Sequence, residues 1–337
     1  FRRNLIMAEF IKGGGSSLFL NIIEDGAGKS INGGNGYMAE LPFTIESFNP
    51  VGEFISSNAI AGGRSRGIGC IGNKAGDGSF DTEFNKQNFG ILFYSALGSY
   101  TGNANTGTIT PSIDDLPVYD VYIRHGSTND MIYKYANQRV NNFRVAFTSN
   151  GLLTASIDMA GTSWSVHSGA VPTTTPQLLL STANTLLCPA ALTGLTVGGT
   201  DVIDYATGLE FTIANNLDTD TNALDASGRL SVITGELAIT GSITFLVPRS
   251  GNLFTKLVSL DIGDELGDIL IGVLGDADAI SIQNVYVTQP VHDITDRNKV
   301  AFRVDFQAVQ DGATPPMTVK LVAGMYIPTT MVALVSP

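Results

Sequence analysis

A Gly-rich loop, a strand and a short helix follow one another between Ser56 and Ser99, and the same order returns between Ala226 and Gly263. The loop, Ala61 to Gly69, is locally basic through Arg64 and Arg66. Ile71 to Phe84 reads as a strand interrupted at Gly76 and Gly78. Asn85 to Gly98 sets Phe89, Leu92, Phe93, Ala96 and Leu97 at helical spacing with Gly98 as the stop, which predicts an amphipathic helix. Arg66, Gly78-Ser79, Asn88, Phe89, Phe93 and Ser95 line up with Arg229, Gly241-Ser242, Asn252, Leu253, Leu257 and Ser259 at an almost constant offset. Upstream, Phe43-Thr44-Ile45 matches Phe211-Thr212-Ile213 with a few residues of slippage in the loop. Short matches also arise by chance in chains rich in Gly, Ser and Thr. The preserved order of strand, loop, Gly-Ser strand and helix favours duplication, each copy being one β domain with one short helix.

A chain of 337 residues exceeds a typical single domain and can bury two cores. The expected layout is an N-terminal arm over 1–37 whose strand is Leu18 to Ile23, a first β domain over 38–170, a linker over 171–185 centred on VPTTTP, a second β domain over 186–323, and a C-terminal arm over 324–337. Asn142 to Ser149 and Leu152 to Met159 flank Asn150-Gly151, a strong hairpin signal. Thr101 to Thr110 reads as a loop, Arg229 to Thr240 as a strand, and Asn252 to Leu260 as the second helix. Met7-Ala8 reads as a natural start, with Phe1 to Ile6 upstream of it.

Charged residues make up only 15% of the chain, and 31 acidic against 19 basic residues leave a net charge of −12. That balance opposes gripping nucleic acid through its phosphates. It suits a surface that DNA should not stick to. Cys70 and Cys188 stand far apart in no pairing motif and read as free thiols. No apolar run is long enough for a membrane span, and Phe1 to Gly15 lacks the apolar core of a signal peptide.

The motifs that carry chemistry fail on inspection. Gly28-Lys29-Ser30 looks like the end of a phosphate-binding loop, but Ile23 holds the place of its first glycine. Asp218 to Asn222 imitates the start of a calcium loop, but Ala223 replaces the glycine and Arg229 stands where the bidentate Glu belongs. His125, His167 and His292 are scattered, and no Ser, His and acid are paired. A glycosidase pair of carboxylates is the remaining enzymatic route, and the single Trp164 offers little to stack a sugar on. No enzyme activity and no catalytic, cofactor or metal site is expected.

Pro42 to Ser99, with PFTIES, GNKAGDGSFDTEF and NFGILFYSALGS, resembles the tail tube proteins of long-tailed bacteriophages. Tyr135 to Gly161 and Ile280 to Gly312 resemble the later strands of the same domain. The resemblance implies a mainly β chain of two tandem tube-like β-sandwich or barrel domains, each with one short flanking helix. It also implies a homotrimeric ring with pseudo-six-fold symmetry, stacked into a hollow tube. The implied partners are other copies of the chain, a tape measure protein inside, terminator and distal tail proteins at the ends, and DNA that passes without specific binding. The location implied is the virion, after assembly in the host bacterial cytoplasm. Loops Asn49 to Cys70 and Asn216 to Gly228 would then contact the next ring, with Arg64 and Arg66 set against Asp218, Asp220 and Asp225, and Arg229 in the same contact. Another tail ring or baseplate protein, or a receptor-binding tail spike, is the alternative.

Overall fold

The computed structural model describes residues 16–29, 36–56, 69–103, 106–126, 131–171, 177–179, 186–222, 228–246, 259–293 and 301–321. The first half contains β1 (Ser17–Glu24), β2 (Tyr37–Leu41), β3 (Ile45–Glu46), β4 (Asn49–Ser56), β5 (Gly69–Glu83), α1 (Asn88–Leu97), β6 (Gly98–Asn103) and β7 (Thr106–Pro111). It continues with β8 (Val118–Arg124), β9 (Ile132–Thr148), β10 (Thr154–Ala160), β11 (Ser163–His167) and β12 (Gln177–Leu179). The second half contains β13 (Leu192–Val197), β14 (Thr200–Asp201), β15 (Ala206–Ala214), β16 (Ala238–Leu246), β17 (Glu265–Val273), β18 (Asp276–Asp293), β19 (Ala301–Ala308) and β20 (Met317–Leu321). The chain is mainly β, as its Val, Ile, Thr and aromatic content dictates.

Two long strands organise it. β9 first pairs with β8 and β11, then past Asn137 turns its other end to β10 and β15. β18 first pairs with β17 and β20, then past Asn284 runs beside β19. Each strand bends at an Asn in the left-handed region, φ 53° at Asn137 and 52° at Asn284. Each of these Asn main-chain N–H groups is held by a carboxylate one strand away: Asp120 Oδ1 at 3.3 Å for Asn137, and Asp268 Oδ1 at 3.1 Å for Asn284. A left-handed residue is tolerated best as Gly or Asn, and an extra residue at that point re-aims the strand.

The equivalence continues outward. β13 lies on β17 as β1 lies on β8, and β20 lies on β18 as β11 lies on β9. β19, β16 and β15 follow β18 as β10, β5 and β3–β4 follow β9. Phe48 stands against Gly78, where an added Cβ would strike its Cα and ring, and Phe211 stands opposite Gly241. Phe48, not Phe43, is therefore the counterpart of Phe211, at the same spacing that separates Gly78 from Gly241. The slippage of Phe43-Thr44-Ile45 against Phe211-Thr212-Ile213 disappears once Phe48 is taken as the partner, because the glycine fixes which aromatic lies over it.

The halves share one core. α1 is buried at all ten positions, so it is an enclosed helix and not an amphipathic one. Asn85 Oδ1 accepts the N–H groups of Gln87 and Asn88 at 2.8 and 2.9 Å, and Gly98 (φ 90°) ends the helix by donating to Tyr94 O. Phe93 packs edge-on to Phe143 at 5.1 Å and lies 6.4 Å from Phe211, in the second half. Asn215, also from that half, donates its amide to Ala96 O and Val140 O at 3.1 and 2.9 Å. β15 joins β9 directly, so one sheet runs from β4 through β5, β10, β9, β15, β16 and β19 to the far end of β18.

Several segments differ from their sequence expectation. β1, assigned to an arm, is a strand between β2 and β8 with its first six residues buried. The loop expected at Thr101 to Thr110 is the β6–β7 ribbon, and β7 pairs with β20 from the other end of the chain. β5 is unbroken, because Gly76 and Gly78 make room for Tyr135, Trp164 and Phe48 and do not end the strand. In the expected linker, Val171 is buried with Phe19, Met38, Tyr122 and Ile132, and β12 adds in parallel to β2; residues 172–176 and 180–185 lie outside the described residues. The second helix lies there as well, apart from Ser259 and Leu260. The strand expected at Arg229 to Thr240 begins only at Ala238, because the preceding residues spend their main chain on other partners.

Candidate assembly interface

The residues expected to meet a neighbouring ring lie on two segments. The first is the ribbon of β4 and β5, whose connection carries Arg64 and Arg66; both arginines lie outside the described residues. At its base β4 exposes Val51, Phe54 and Ile55, Phe54 to 67%. The second is the stretch 215–236, and Asp225 within it also lies outside the described residues.

This second stretch is pinned by its backbone. Asp218 and Ile233 exchange main-chain hydrogen bonds at 2.8 and 3.0 Å, and Leu230 donates to Thr221 O at 2.9 Å. Asp218 Oδ1 accepts the N–H of Asp220, and Asp220 Oδ1 accepts from the Asn222 amide. Both carboxylates remain exposed. These turns satisfy the acidic residues locally, which is the ordinary use of Asp in a loop.

Arg229 departs from its expected place. It turns inward, its side chain only 8% exposed, and forks onto Asp77 with Nη1–Oδ1 at 2.7 Å and Nη2–Oδ2 at 3.1 Å. Nη1 also donates to Gly161 O at 2.7 Å. Gly228 precedes it at φ 111°, where any Cβ would run into Lys74 O. Arg139 adds a second clasp: Nη2 pairs with Asp115 Oδ2 at 2.6 Å, Nη1 donates to Val232 O, and Thr234 Oγ1 donates to Asp115 Oδ1. Asp77, Arg139, Asp115 and Asn215 had no signal in the sequence, because each acts on a residue in the other half of the chain.

The stretch thus lies against the first half and beside the ribbon. Val51, Gly52 and Ile55 of β4 form an open groove with Lys74, Thr219 and Asn222. The acidic loop and the base of the arginine-bearing ribbon share this groove. At the other end of β4 the edge is sealed from within: Phe48 N–H is 3.2 Å from Glu46 Oε2, and Phe48 O accepts from the Tyr135 hydroxyl at 3.0 Å. Burial pushes the Tyr135 hydroxyl up to about 12, with the nearby Glu46 charge adding to the shift, so it keeps the proton it donates.

The chemical look-alikes resolve into structural roles. Asp25 Oδ1 accepts the N–H groups of Ala27 and Lys29 at 3.0 and 2.8 Å, so the Gly28-Lys29 turn is closed on a carboxylate and offers no anion cradle. Among the described residues no three His, Cys, Asp or Glu side chains converge as a metal site would require. His125 packs on Tyr133 and His167 on Tyr122. Cys70 is exposed and Cys188 half-buried, both free. Among the described residues no helix is long and apolar enough to cross a membrane.

Comparison with curated proteins finds no match. A family model described as phage tail tube protein matches residues 18–308, from β1 to the end of β19. With most of its length inside that match, the chain belongs to the phage tail tube protein family.

Proposed function

We propose that this chain is a major tail tube subunit that assembles into stacked rings and forms the conduit for DNA ejection. One observation carries the reading: equivalent strand sets, each bent at an Asp-held Asn, lie side by side and are joined through β9 and β15. This supports a duplicated domain in which one chain supplies two consecutive wall segments. Three chains then close a ring with pseudo-six-fold symmetry. The role is structural and not catalytic.

Arg64 and Arg66 on the ribbon, with Asp218, Asp220 and Asp225 on the loop beside it, make the ring-to-ring contact in this reading. Charge pairs there set register and partner choice more than affinity. Arg229 serves as the anchor that holds the acidic loop in place. The net acidity of the chain suits a lumen that repels phosphate. Tape measure, terminator and distal tail proteins are the further partners, and the finished protein resides in the virion after assembly in the host bacterial cytoplasm.

Electron microscopy of the purified chain tests the reading. Tubes of uniform diameter with three chains per ring are expected. A monodisperse single ring or a trimeric rod would instead favour another ring component or a receptor-binding spike, and six chains per ring would remove the duplication from the wall.

A further inference from the structure

The junction between β9 and β15 has a ladder whose bonded rungs can be placed from its two ends. Ser149 donates to Thr207 O at 3.2 Å, and Asn215 donates to Asn141 O at 2.8 Å. The register between them is unbroken, from Thr148 opposite Gly208 to Asn142 opposite Ala214. Bonded and unbonded rungs alternate along an antiparallel pair, so Phe143 and Ile213 face each other as a mutually bonded rung.

The strand equivalences carry both residues to prolines. Beside a bulge, Asp158 stands opposite Asn142 and Asp305 opposite Gln289, and the next residues along are Phe143 and Pro290. Phe211 lies over Gly241 and Phe48 over Gly78, and two residues further stand Ile213 and Pro50. Among the described residues β18 from Thr288 to Asp293 pairs with β19 alone, and β3 and β4 pair with β5 alone. Ser47 donates inward to Ser79 O, so Phe48 and Pro50 turn their main chain outward. Each open edge therefore carries a proline where the internal junction carries a donor, and the adjoining Phe48 rung is already closed by Glu46 and Tyr135. Proline on an edge is tolerated where its missing N–H faces away from the sheet, and it blocks pairing there.

We infer that a second copy of this chain docks edge to edge, the 288–293 end of β18 against 47–52 of its neighbour, in the register of β9 on β15, with Pro290 facing Pro50. This rests on the tube reading and adds that the wall has two kinds of junction. The internal one is laddered by main chain and reinforced by β7 on β20. Among the described residues the second half has no counterpart of the β6–β7 ribbon, and Gly263 (φ 87°) leads almost directly into β17. The junction between chains is held by side chains, among them exposed Val51, and is the one that forms and separates.

A double-mutant cycle on assembly of the full chain tests this, with P50V, P290V and the combined variant followed by light scattering and electron microscopy against concentration. Each single variant still faces a proline and should assemble within about twofold of the parent concentration, whereas the combined variant should assemble at about tenfold lower concentration. Independently, in a C70S/C188S background, a short thiol cross-linker should join N49C of one chain to V291C of the next within assembled material. Additive single effects, or tubes that form without that cross-link, overturn the inference and leave the tube reading standing. Failure of the parent chain to form rings or tubes overturns the tube reading and this inference with it.

Discussion

Arg229 and Asp77, 152 residues apart in sequence, meet as a two-point ion pair that fastens a loop of the second half onto a strand of the first. Arg229 is almost wholly enclosed and its third contact is a carbonyl, so removing either partner strands a charge that burial penalises. R229M and D77N should each destabilise the chain by roughly 2–3 kcal/mol, and the double variant by clearly less than their sum. Denaturant midpoints at unchanged slope measure this; full additivity would show that the pair is not a unit.

The two strand bends make a paired prediction. Asn137 and Asn284 hold left-handed φ values, which β-branched residues adopt only under strain. N137V and N284V should each cost about 1–2 kcal/mol, and N137G and N284G much less, since glycine meets no such strain. Matching costs at the two sites are expected from thermal unfolding. A glycine variant as damaging as valine at either site would place the importance in the Asn side chain instead.

Gly78 and Gly241 differ from most strand glycines in having an aromatic residue against them. A Cβ at residue 78 would meet Phe48 backbone and ring, and one at residue 241 would meet Glu210 O and the Phe306 ring. G78A and G241A should therefore destabilise by roughly 1–3 kcal/mol through overpacking, although alanine is ordinarily the better residue in regular structure. Melting temperatures at or above that of the parent would contradict the packing described for these strands.

Tyr119 gives the fold an alkaline limit. Its hydroxyl is fully buried against Ser95 at 2.7 Å, and burial raises its ionisation far above the ordinary value. A group raised in the folded state contributes stability that is complete below the unfolded pKa, about 10, and is lost as pH climbs through the folded one. Stability should fall with pH above about 10, and Y119F should flatten that fall while losing one hydrogen bond at neutral pH. Equal alkaline slopes for Y119F and parent would shift the cause to other groups, such as Tyr94.

Much of this fold is written in local patterns. The helix at Asn88 to Leu97, the turn at Asn150-Gly151 and the alternation of β19 follow from spacing, caps and the two-residue period of a strand, which act within a few residues. What the sequence hid depends on partners far along the chain. The β6–β7 ribbon reads as a loop because nothing near it reveals β20, and β1 reads as an arm because its neighbours β2 and β8 close on it from both sides. Arg229 was legible as a member of the repeat but not as an inward-facing anchor, since Asp77 gives no cue at that distance. The acidic residues Asp218 and Asp220 do lie on an exposed loop, where a run rich in Asp, Thr and Asn belongs.

The pairing of β7 with β20 joins a ribbon made early in synthesis to one of the last described strands. During translation β7 lacks its outer partner until residues 317–321 have left the ribosome. Long-range pairing of this kind closes late, because a large loop must be ordered before its contacts repay it. Closure of this sheet thus waits on residues 317–321, and a product terminated before them leaves β7 uncovered as a mark of incompleteness.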